Sequence, residues 1–526
     1  MTQLKPQQKQ AIAALVLMRH SNIAALALGL FSAVGFAPLG LWPVTILCLA
    51  LLIALVGNAS RLGSALARGW WFGAGQFTVG LNWIAHAFTF QDAMPHWFGY
   101  GAVVLLSLYL AIYPAMAAGL AWKYGRQEKR QLVLLFAVAW IVTEWLRANM
   151  FTGFAWNPLG VVWIASLPLD SARWIGTYGL SGLTMLVAGT LYLSIAPDYR
   201  RYAAVSALTL AIAMSAAHFL RPAAPPPRTD VPIRIVQPNI GQQDKHVAGQ
   251  EENNFRKLAQ LSGLPSVKPR LLFWPEAAIP AILDMEPEWR DRLAGLLGPR
   301  HLLMTGGLKL YYQLENKGVY QANTLTAANN SLWVLTPDSR LVARYDKAHL
   351  VPFGEYLPMR SILKPLGLSR LVPGDVDFWP GPGPQTLPLP AAGDRPALKM
   401  GVQICYEIIF SGHVMEEKDR PDFVFNPSND AWFGSWGPPQ HLAQARLRAL
   451  EEGVPILRST PTGISAVVAA DGTLLDSLPH QQAGYIDAFL PGKLPPTPFS
   501  QVGNIAGFLF ALLIFCVAIA MRRWSR

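Results

Sequence analysis

Charged residues are scarce in this chain of 526 residues: only 14% are Asp, Glu, Lys or Arg, whereas 52% are apolar. A soluble globular domain usually has about 25% charged residues. The composition therefore excludes disordered, collagen-like and coiled-coil proteins, which need polar or strictly repetitive sequences. A chain of this length is expected to form more than one domain.

Acidic residues are nearly absent from the first 220 positions, which have 5 acidic and 13 basic side chains. Residues 221–499 have 27 of each sign, and the rest of the chain adds three arginines and no acid. The net charge of +11 therefore belongs to the apolar parts of the chain. A nucleic-acid-binding protein would carry such an excess on a polar surface. The pattern excludes that class and favours the basic loops of a membrane protein.

Long apolar windows predict eight transmembrane helices, because a span needs about 20 mainly apolar residues. The windows lie at residues 22–38, 42–58, 64–85, 97–121, 131–147, 173–196, 202–220 and 501–521. A polar stretch separates the last two windows and opens with a proline-rich segment. We therefore predict a transmembrane domain of seven helices at 1–220, a large extramembrane domain at 221–500, and a final helix with a basic tail at 501–526.

Basic residues are unequally distributed between the two sets of alternate loops. One set, with both termini, has 14 Lys and Arg residues, whereas the short loops of the other set have only Arg147 and Arg173. Because basic loops stay in the cytoplasm, both termini are predicted to be cytoplasmic and residues 221–500 to lie across the membrane. The first apolar run has no small-residue cleavage site and continues into a span, so we expect it to remain as an anchor.

Cysteine is rare: Cys48 and Cys516 lie in predicted spans, and Cys405 is alone in the 221–500 domain. In an oxidising compartment this lone cysteine has no intrachain disulfide partner. It is either a buried apolar residue or a thiol kept for chemistry. The sequence also lacks Walker A, strand–GxGxxG–helix, GxSxG and HExxH motifs, and its ten histidines have no metal-ligand spacing. We therefore expect no metal and no other cofactor.

Short β-rich apolar runs alternate with helical patterns in residues 221–500. The runs lie at 233–236, 271–274, 302–306, 332–335, 398–404, 423–425 and 464–469, and the helical patterns at 250–262, 286–297, 407–417 and 438–452. Strands that are apolar on both faces and alternate with helices predict an α/β sheet protein.

Three polar residues stand at or near the ends of apolar runs. Glu276 ends the string LLFWPE, Lys347 lies in RYDKAHLVPFGEYLP, and Cys405 lies in MGVQICYE. In open α/β sheets, ligands bind at the carboxyl ends of the strands. A carboxylate can serve as the base for a thiol, and an ammonium can stabilise an oxyanion. Each residue alone could be a cap or a surface charge, but the three together predict covalent chemistry at the thiol.

These strings resemble the carbon–nitrogen hydrolase (nitrilase) superfamily, whose members have a Glu–Lys–Cys triad. The layout of seven spans, this domain and one final span resembles more closely the apolipoprotein N-acyltransferase family, as do TEWLRANMFTGFAW (143–156), NPSNDAWFGSWGPPQH (426–441) and RALEEGVPILRST (448–460). The resemblance covers nearly the whole chain. It implies that residues 221–500 fold as an α/β four-layer αββα sandwich of the nitrilase type.

The resemblance also implies roles for individual residues. Glu276 would be the general base, Cys405 the nucleophile and Lys347 the oxyanion partner. The supporting positions would be the peptide N–H of Tyr406 and the acids Glu355 and Glu407, and the polar residue Asn323 in the string ANTL would bind substrate. The chain departs from the family at His246, where members can have Trp after the first strand.

The implied reaction is a two-step acyl transfer at the periplasmic face of a bacterial inner membrane. Cys405 would take an acyl chain from a phospholipid, by resemblance phosphatidylethanolamine, and form a thioester. The α-amine of an S-diacylglyceryl cysteine, at the start of an apolipoprotein, would then take the chain as an amide. The site would have to exclude water, which hydrolyses thioesters. We expect a monomer within the lipid bilayer, with no nucleic-acid partner.

Two other functions fit parts of the sequence. A membrane-anchored amidase or nitrilase would use the same three residues, but one or two helices would suffice as its anchor. A transporter would be expected to show inverted repeats, broken helices and buried ionisable pairs. The spans offer little of this kind beyond Glu144 and Arg147, which could pair near the interface or hold a lipid headgroup.

Two segments have the pattern of a membrane interface. Residues 351–372 have apolar residues at spacings of three and four with basic residues between them, as in a helix in the headgroup plane. Trp432, Phe433 and Trp436 stand in a Gly-rich loop and suit the same interface as substrate-binding residues. Both segments could be ordinary core. Our hypothesis is that they form mobile arms, including Leu366 and Leu368, that close over the thioester.

Overall fold

The structure is a computed structural model that describes residues 20–90, 95–222, 228–245, 247, 249–317, 320–366, 376–416 and 418–524. By its internal contacts the chain forms two compact units. The helical unit consists of residues 1–82, 100–221 and 501–526, and the α/β unit consists of Trp83–Gly99 and Pro222–Ser500. The short segment that joins two predicted spans therefore packs with the α/β unit.

Helices account for most of the helical unit. Within the described residues they are Ser21–Ser32, Trp42–Gly57, Leu62–Gly80, Phe98–Leu110, Ile112–Gly125, Lys129–Asn149, Ala172–Ile195, Arg200–Phe219 and Ile505–Trp524. Five helical stretches there are long and apolar enough to cross a membrane: Phe98–Gly125, Lys129–Asn149, Leu167–Ile195, Pro197–Phe219 and Ile505–Arg523. Two apolar helices, Ser21–Gly35 and Trp42–Gly57, are shorter. Leu62–Gly80 has 19 residues but is more polar, with Arg68 and Gln76.

Small residues allow the first and third helices of this unit to approach closely. A methyl group at Gly29 would lie 2.0 Å from the carbonyl oxygen of Phe72. On the facing helix, a methyl group at Gly75 would lie 2.4 Å from the carbonyl oxygen of Leu26. Neither position can carry a side chain at this separation, which is why packed membrane helices favour glycine at such contacts.

The α/β unit contains two six-stranded sheets. The first is formed by β1 Arg228–Gln237, β2 Leu271–Phe273, β3 Leu302–Lys317, β4 Tyr320–Leu335, β5 Leu341–Asp346 and β12 Gly484–Pro491, in the order β12–β1–β2–β3–β4–β5. The second is formed by β6 Thr386–Leu389, β7 Leu398–Val402, β8 Phe423–Pro427, β9 Ile456–Ser459, β10 Ala466–Val468 and β11 Leu474–Ser477, in the order β11–β10–β9–β8–β7–β6. Three neighbouring strands in each sheet run parallel, β1–β2–β3 and β7–β8–β9, and the flanking strands are antiparallel.

Both sheets contribute side chains to one apolar core. Phe273 of β2 contacts Phe425 of β8, with ring centroids 4.8 Å apart, and Cys405 belongs to the same core. A second core joins the first sheet to helices Glu251–Ser262 and Pro287–Ala294, while helix Gly437–Glu452 contacts β9. This arrangement is the predicted nitrilase-type α/β fold with two sheets.

The predicted helix at 407–417 is wrong. The chain forms a 3₁₀ helix over Cys405–Ile409 and then turns. Gly412 has a φ of 74°, a left-handed conformation that terminates helices. The remaining helices of this unit within the described residues are short: Ile84–Ala87, Gln242–Lys245, Arg360–Leu363 and Pro498–Val502.

Candidate active site

Glu276, Lys347 and Cys405 each follow the carboxyl end of a strand. Glu276 follows β2, Lys347 comes directly after β5, and Cys405 follows β7. All three side chains are buried. Lys347 Nζ lies 3.8 Å from Glu276 Oε1, and the Cys405 thiol interacts electrostatically with both residues. The structure therefore brings together, from two sheets, the three residues that the sequence singled out.

Asn330, on β4, joins two carboxylates of the site. Its side-chain amide donates hydrogen bonds to Glu276 Oε1 at 2.6 Å and to Glu355 Oε1 at 2.9 Å. Lys347 Nζ also donates to Glu355 Oε1, at 3.0 Å, and the peptide N–H of Val351 donates to Glu355 Oε2 at 2.8 Å. Sequence analysis missed Asn330. The only signal was an amide side chain within an apolar strand, where a buried polar group needs a partner.

The second carboxylate oxygen of Glu276 has a different environment from the first. Glu276 Oε2 is buried, and no hydrogen bond reaches it from the residues that the structure describes. Buried polar atoms nearly always have a partner, and exceptions call for an explanation. Asn330 thus holds one oxygen in place while the other is able to accept a proton.

The Lys347 ammonium is surrounded by negative charge. Burial alone would lower the pKa of Lys347, but the carboxylates of Glu355 and Glu276 outweigh burial and raise this pKa above its ordinary value. The side chain therefore stays charged throughout the neutral range. A fixed ammonium in a buried site can stabilise an oxyanion.

Cys405 begins the 3₁₀ helix with a φ of 53°, a conformation that is rare outside glycine and is found at functional sites. His441 Nε2 donates a hydrogen bond to the Cys405 carbonyl oxygen at 3.0 Å, which helps to hold this backbone. Burial and the charge of Glu276 raise the pKa of the thiol well above its ordinary value, although Lys347 and the peptide N–H of Asn429 oppose them. The resting thiol is therefore neutral and needs a base.

Glu407 connects the loop of Lys347 with the loop of Cys405. Its Oε1 accepts hydrogen bonds from the Tyr345 hydroxyl at 2.8 Å and from the peptide N–H groups of Ala348 at 2.7 Å and His349 at 3.1 Å. Its Oε2 accepts from the peptide N–H of Ile404 at 2.6 Å. Burial raises the pKa of Glu407 to about 7. One carboxylate thus sets the separation of two loops.

A buried charge network lies behind Cys405. Arg458 bonds Asp430 and Asn426, and Asp430 Oδ1 lies 3.0 Å from His441 Nδ1. Among the described residues, one group of donors is close enough to hold a metal ion: Cys405, Asp430 and His441, within 4.8 Å of one another. Arg458 already neutralises Asp430, and the imidazole already bonds the Cys405 carbonyl. The donors therefore fit a hydrogen-bond network better than a metal site. Sequence analysis missed this network.

The aromatic residues of the predicted site lie in two places. The ring of Tyr406, next to Cys405, is buried against His349, with centroids 5.8 Å apart. Trp432 and Phe433 belong to the 3₁₀ helix Asp430–Phe433, and the half-buried Trp436 comes just before helix Gly437–Glu452. Phe433 contacts both Trp83 and His441, with centroids 4.6 and 5.6 Å apart. Phe433 therefore joins the aromatic loop to the residue that supports Cys405.

The segment after Lys347 differs from the long helix predicted for 351–372. A helix begins only at Arg360 and is four residues long, followed by a 3₁₀ turn over Lys364–Leu366. Pro352 and Pro358 lack the N–H that a helix needs, and Glu355 holds the N–H of Val351. Met359 and Ile362 are 65% and 59% exposed. The side chain of Leu366 and all of Leu368 lie outside the described part.

Two other predicted positions also lie outside that part. The structure does not describe His246. The backbone of Asn323 pairs with Leu314 in the ladder of β3 and β4, but its side chain is outside the described atoms. The roles of both residues stay predictions. Along β4, Asn323 is seven residues from Asn330, which corresponds to roughly 23 Å of extended chain.

In the helical unit, Glu144 and Arg147 form the predicted pair. Glu144 Oε1 lies 3.8 Å from an Arg147 guanidinium nitrogen, and both side chains are buried. Glu144 Oε1 accepts the peptide N–H of Leu159 at 2.8 Å, and Arg147 donates to the carbonyl oxygen of Trp156 at 2.8 Å. The pair therefore holds the loop that follows its own helix, which is a structural role.

The sequence matches two family models and many curated proteins. Residues 28–190 match the apolipoprotein N-acyltransferase N-terminal domain, and residues 233–493 match carbon-nitrogen hydrolase. Three proteins named apolipoprotein N-acyltransferase are similar over 95% of this chain. They come from Caulobacter vibrioides (37% identity, 94% of that protein covered), Bradyrhizobium diazoefficiens (34%, 94% covered) and Rhodopseudomonas palustris (32%, 95% covered). With such identity along nearly its full length, the chain belongs to the apolipoprotein N-acyltransferase family.

Proposed function

We propose that this protein transfers an acyl chain from a membrane phospholipid, through a thioester on Cys405, to the α-amine of the N-terminal S-diacylglyceryl cysteine of apolipoproteins. The observation that carries the proposal is the buried network of Glu276 and Lys347 beside the Cys405 thiol. The lipid and lipoprotein substrates are supported by the family, whose models match segments of both units.

The first step forms the thioester. Glu276 Oε2 accepts the thiol proton, and the Cys405 sulfur attacks the ester carbonyl carbon of the phospholipid. The ammonium of Lys347 and the peptide N–H of Tyr406 stabilise the charge that develops on the carbonyl oxygen. The ester C–O bond then breaks, and the leaving oxygen takes the proton from Glu276. The products are a lysophospholipid, the acyl thioester and an ionised Glu276.

The second step forms the amide. The α-amine of the acceptor attacks the thioester carbonyl carbon, and Glu276 takes a proton from the attacking nitrogen. When the C–S bond breaks, the Cys405 sulfur recovers this proton, which restores the resting enzyme. Water would compete with the amine for the thioester. The burial of Cys405, which is 5% exposed, supports a site that limits this loss.

Glu355 and Glu407 act as positioning residues in this proposal. Glu355 shares Asn330 with Glu276 and holds Lys347, so it keeps the ammonium next to the base. Glu407 fixes the loops on which Lys347 and Cys405 stand. Neither carboxylate needs to touch the substrate for these effects.

We further propose the membrane arrangement that the charge pattern predicts. Eight helices would span a bacterial inner membrane, with seven in the domain at 1–220 and one at 501–526. Both termini would be cytoplasmic and the catalytic domain at 221–500 periplasmic. The 14 basic residues in one set of loops and the two in the other support this orientation. The shorter apolar helices would need a locally thin bilayer or flanking polar side chains at its surface.

The substrate contacts are also proposals. Phosphatidylethanolamine would be the acyl donor, as the family resemblance implies, and the enzyme would act as a monomer. The aromatic loop with Trp432, Phe433 and Trp436 would contact the acyl chain, and Asn323 would contribute a polar contact. The exposed Met359 and Ile362 support an interfacial role for the segment after Lys347.

A transfer assay tests the proposed function. Purified protein in phosphatidylethanolamine vesicles would receive a synthetic S-diacylglyceryl-cysteinyl peptide, and mass spectrometry would follow the peptide. We expect an N-acyl peptide and one lysophospholipid per transfer. Cys405→Ala should form none, whereas Cys48→Ala and Cys516→Ala should remain active. If fatty acid is released and the peptide stays unmodified, the protein is a hydrolase, as in the amidase alternative, and the proposal is wrong.

A further inference from the structure

Lys245 places a second ammonium at the candidate active site. It ends the short helix Gln242–Lys245, and its Nζ donates a hydrogen bond to the main-chain carbonyl oxygen of Glu276 at 3.1 Å. Its charge interacts with the carboxylate of Glu276 and with the thiol of Cys405. The residue is half-buried, whereas Lys347 is fully buried. Both ammonium groups therefore interact with Glu276 and Cys405, Lys347 from a fully buried position and Lys245 from a half-buried one.

The short helix that carries Lys245 is anchored to the same loop that faces the thiol. Gln242 Oε1 accepts a hydrogen bond from the side-chain amide of Asn429 at 2.8 Å. The peptide N–H of Asn429 in turn interacts with the Cys405 thiol. At the other end, the Asn254 side chain donates to the carbonyl oxygen of Asp244 at 3.1 Å. The short helix that carries Lys245 is therefore anchored at both of its ends.

Lys245 offsets part of a surplus of negative charge at the site. Glu276 and Glu355 bring two negative charges, and Lys347 brings one positive charge. Asp430, the other acid that faces Cys405, is neutralised by Arg458. One net negative charge thus remains beside the thiol, and an ionised Glu407 would add another. Such a surplus opposes formation of a thiolate.

We propose that Lys245 is a positioning residue that fixes the backbone of Glu276 and supplies the positive charge with which the Cys405 thiolate forms. It acts on the proposed reaction through these two residues and not by contact with the substrate. The inference rests on the proposed role of Cys405 as nucleophile. It adds a second cation to the Glu276, Lys347 and Cys405 group.

The electrostatics of Lys245 support this role and give it a pH signature. Burial lowers the pKa of Lys245 to about 8, and the charges of Glu276 and Cys405 limit this decrease. The ammonium is therefore charged at neutral pH and loses its proton as the pH rises through about 8. An arginine at this position would keep its charge over the whole range. Among the described residues, the titratable and charged groups near the thiol are Glu276, Lys347, Lys245, Asp430 and His441.

The test measures how fast the Cys405 thiol reacts with a soluble reagent, a rate that can be determined without any acyl transfer. The full-length protein would be treated with iodoacetamide between about pH 6 and about pH 10, and the modified Cys405 peptide would be quantified by mass spectrometry. Because the thiol pKa lies well above its ordinary value, the variants are compared by their rates below the midpoint. In Lys245→Met we expect the rate at neutral pH to fall about tenfold, and the difference from wild type to shrink above about pH 8, where wild-type Lys245 is itself neutral. Lys245→Arg should keep the wild-type rate at neutral pH and exceed it above about pH 8. The control Lys257→Met, on an exposed position of helix Glu251–Ser262, should match wild type.

Three results would overturn the inference. An unchanged pH profile in Lys245→Met, with a raised KM for phospholipid, would make Lys245 a headgroup ligand. An equal loss in Lys245→Met and Lys245→Arg would show that only the shape of lysine matters. If Lys245→Met fails to fold, the arginine variant decides alone, and a loss of reactivity in it contradicts the inference. A shifted profile in a protein that never acylates a peptide would instead contradict the proposed function and leave this inference standing.

Discussion

At the scale of single residues, the two oxygens of the Glu276 carboxylate have different surroundings. Asn330 binds one of them, and the other accepts no hydrogen bond from the described residues. The same amide also binds Glu355, which holds Lys347. The Glu276 carboxylate and the Lys347 ammonium are therefore linked through Asn330 and Glu355.

Substitution of the base and of the ammonium should slow the formation of the thioester. Glu276→Gln keeps the shape but removes the proposed base, which should lower the rate about 10²–10⁴-fold. Lys347→Met removes the proposed oxyanion partner, which should lower the rate roughly 10²–10³-fold. The measurement is the rate at which each variant gains an acyl mass from phospholipid alone. The exposed substitutions Glu288→Gln and Lys257→Met are matched controls. Wild-type acylation rates in both site variants would refute the assigned roles.

The sequence predicted those residues of the site that stand at the ends of apolar strands. Glu276 and Cys405 are such residues. Lys347 follows β5, which is mostly partly exposed, and only the string RYDKAHLVPFGEYLP, which carries the family resemblance, indicates it. Asn330 and His441 were not predicted because their partners are distant in sequence. Asn330 is 54 positions from Glu276, and His441 is 36 positions from Cys405. Contacts of this kind depend on which strands become neighbours, and no local window of sequence contains that information.

At the scale of elements, the helix Gly437–Glu452 ends with two buried acids. The helix stops at Gly453, which has a φ of 65°. Glu451 pairs with Arg448 at 2.8 Å. Burial and the charge of Glu451 raise the pKa of Glu452 to about 8, despite the opposing charges of Arg448 and Arg420. A carboxylate here also faces the negative end of the helix dipole, so the folded protein prefers a protonated Glu452.

This preference predicts how Glu452→Gln changes stability with pH. In the unfolded chain Glu452 loses its proton near the ordinary pKa of 4.5, whereas in the folded protein it does so near 8. The native state binds more protons in between, so wild-type stability falls as the pH rises through this range. Glutamine does not ionise, so the variant lacks this pH-dependent loss of stability. Thermal unfolding in detergent should therefore show that the advantage of the variant grows from about pH 4.5 to about pH 8 and then levels off. Parallel curves for the two proteins would contradict the assignment.

The segment after Lys347 is the element proposed to meet the lipid. Met359→Asp with Ile362→Asp should slow acylation of Cys405 by membrane phospholipid much more than its reaction with iodoacetamide, because charge disfavours contact with the bilayer. The same comparison applies to Leu366→Asp with Leu368→Asp. Leu264→Asp with Val267→Asp is a matched control, since these residues are 87% and 74% exposed elsewhere in the α/β unit. If the variants slow acylation and the reaction with iodoacetamide equally, the segment contributes to the folded structure and not to lipid contact.

The fold was predictable where strands are buried on both faces. The runs at 271–274 and 423–425 lie in central strands whose residues are all buried. The edge strand β11 has no buried residue, so it lacks the continuous apolar run that the prediction used. The helix predicted at 407–417 does not form because the Glu407 carboxylate accepts peptide N–H groups from two loops and Gly412 turns the chain.

At the scale of the whole molecule, the distribution of basic residues and the length of the apolar helices both bear on the number of membrane crossings. The distribution of basic residues predicts an even number of crossings with both ends on one side. Among the described helices, five meet the length and hydropathy of a span, and two more are apolar but short. Glu144 and Arg147 bond the loop after their helix, so this buried charge pair has a structural explanation.

The proposed topology predicts the outcome of reporter fusions. A reporter active only in the periplasm should give a signal when fused near Gln260, and reporters at both termini should give cytoplasmic signals. The physical reason is that basic loops resist translocation. A cytoplasmic signal from residues 221–500 would contradict the topology and separate the site from the acceptor that is proposed to lie in the periplasm.

The intact mass of the purified protein tests the central claim most directly. The protein would be incubated with phospholipid and without any acceptor, so that only the first step can occur. Wild type should gain one acyl chain, located on Cys405 and removed by hydroxylamine, while Cys405→Ala gains none. No acyl gain in folded wild type, or an equal gain in Cys405→Ala, would contradict a mechanism that proceeds through a Cys405 thioester.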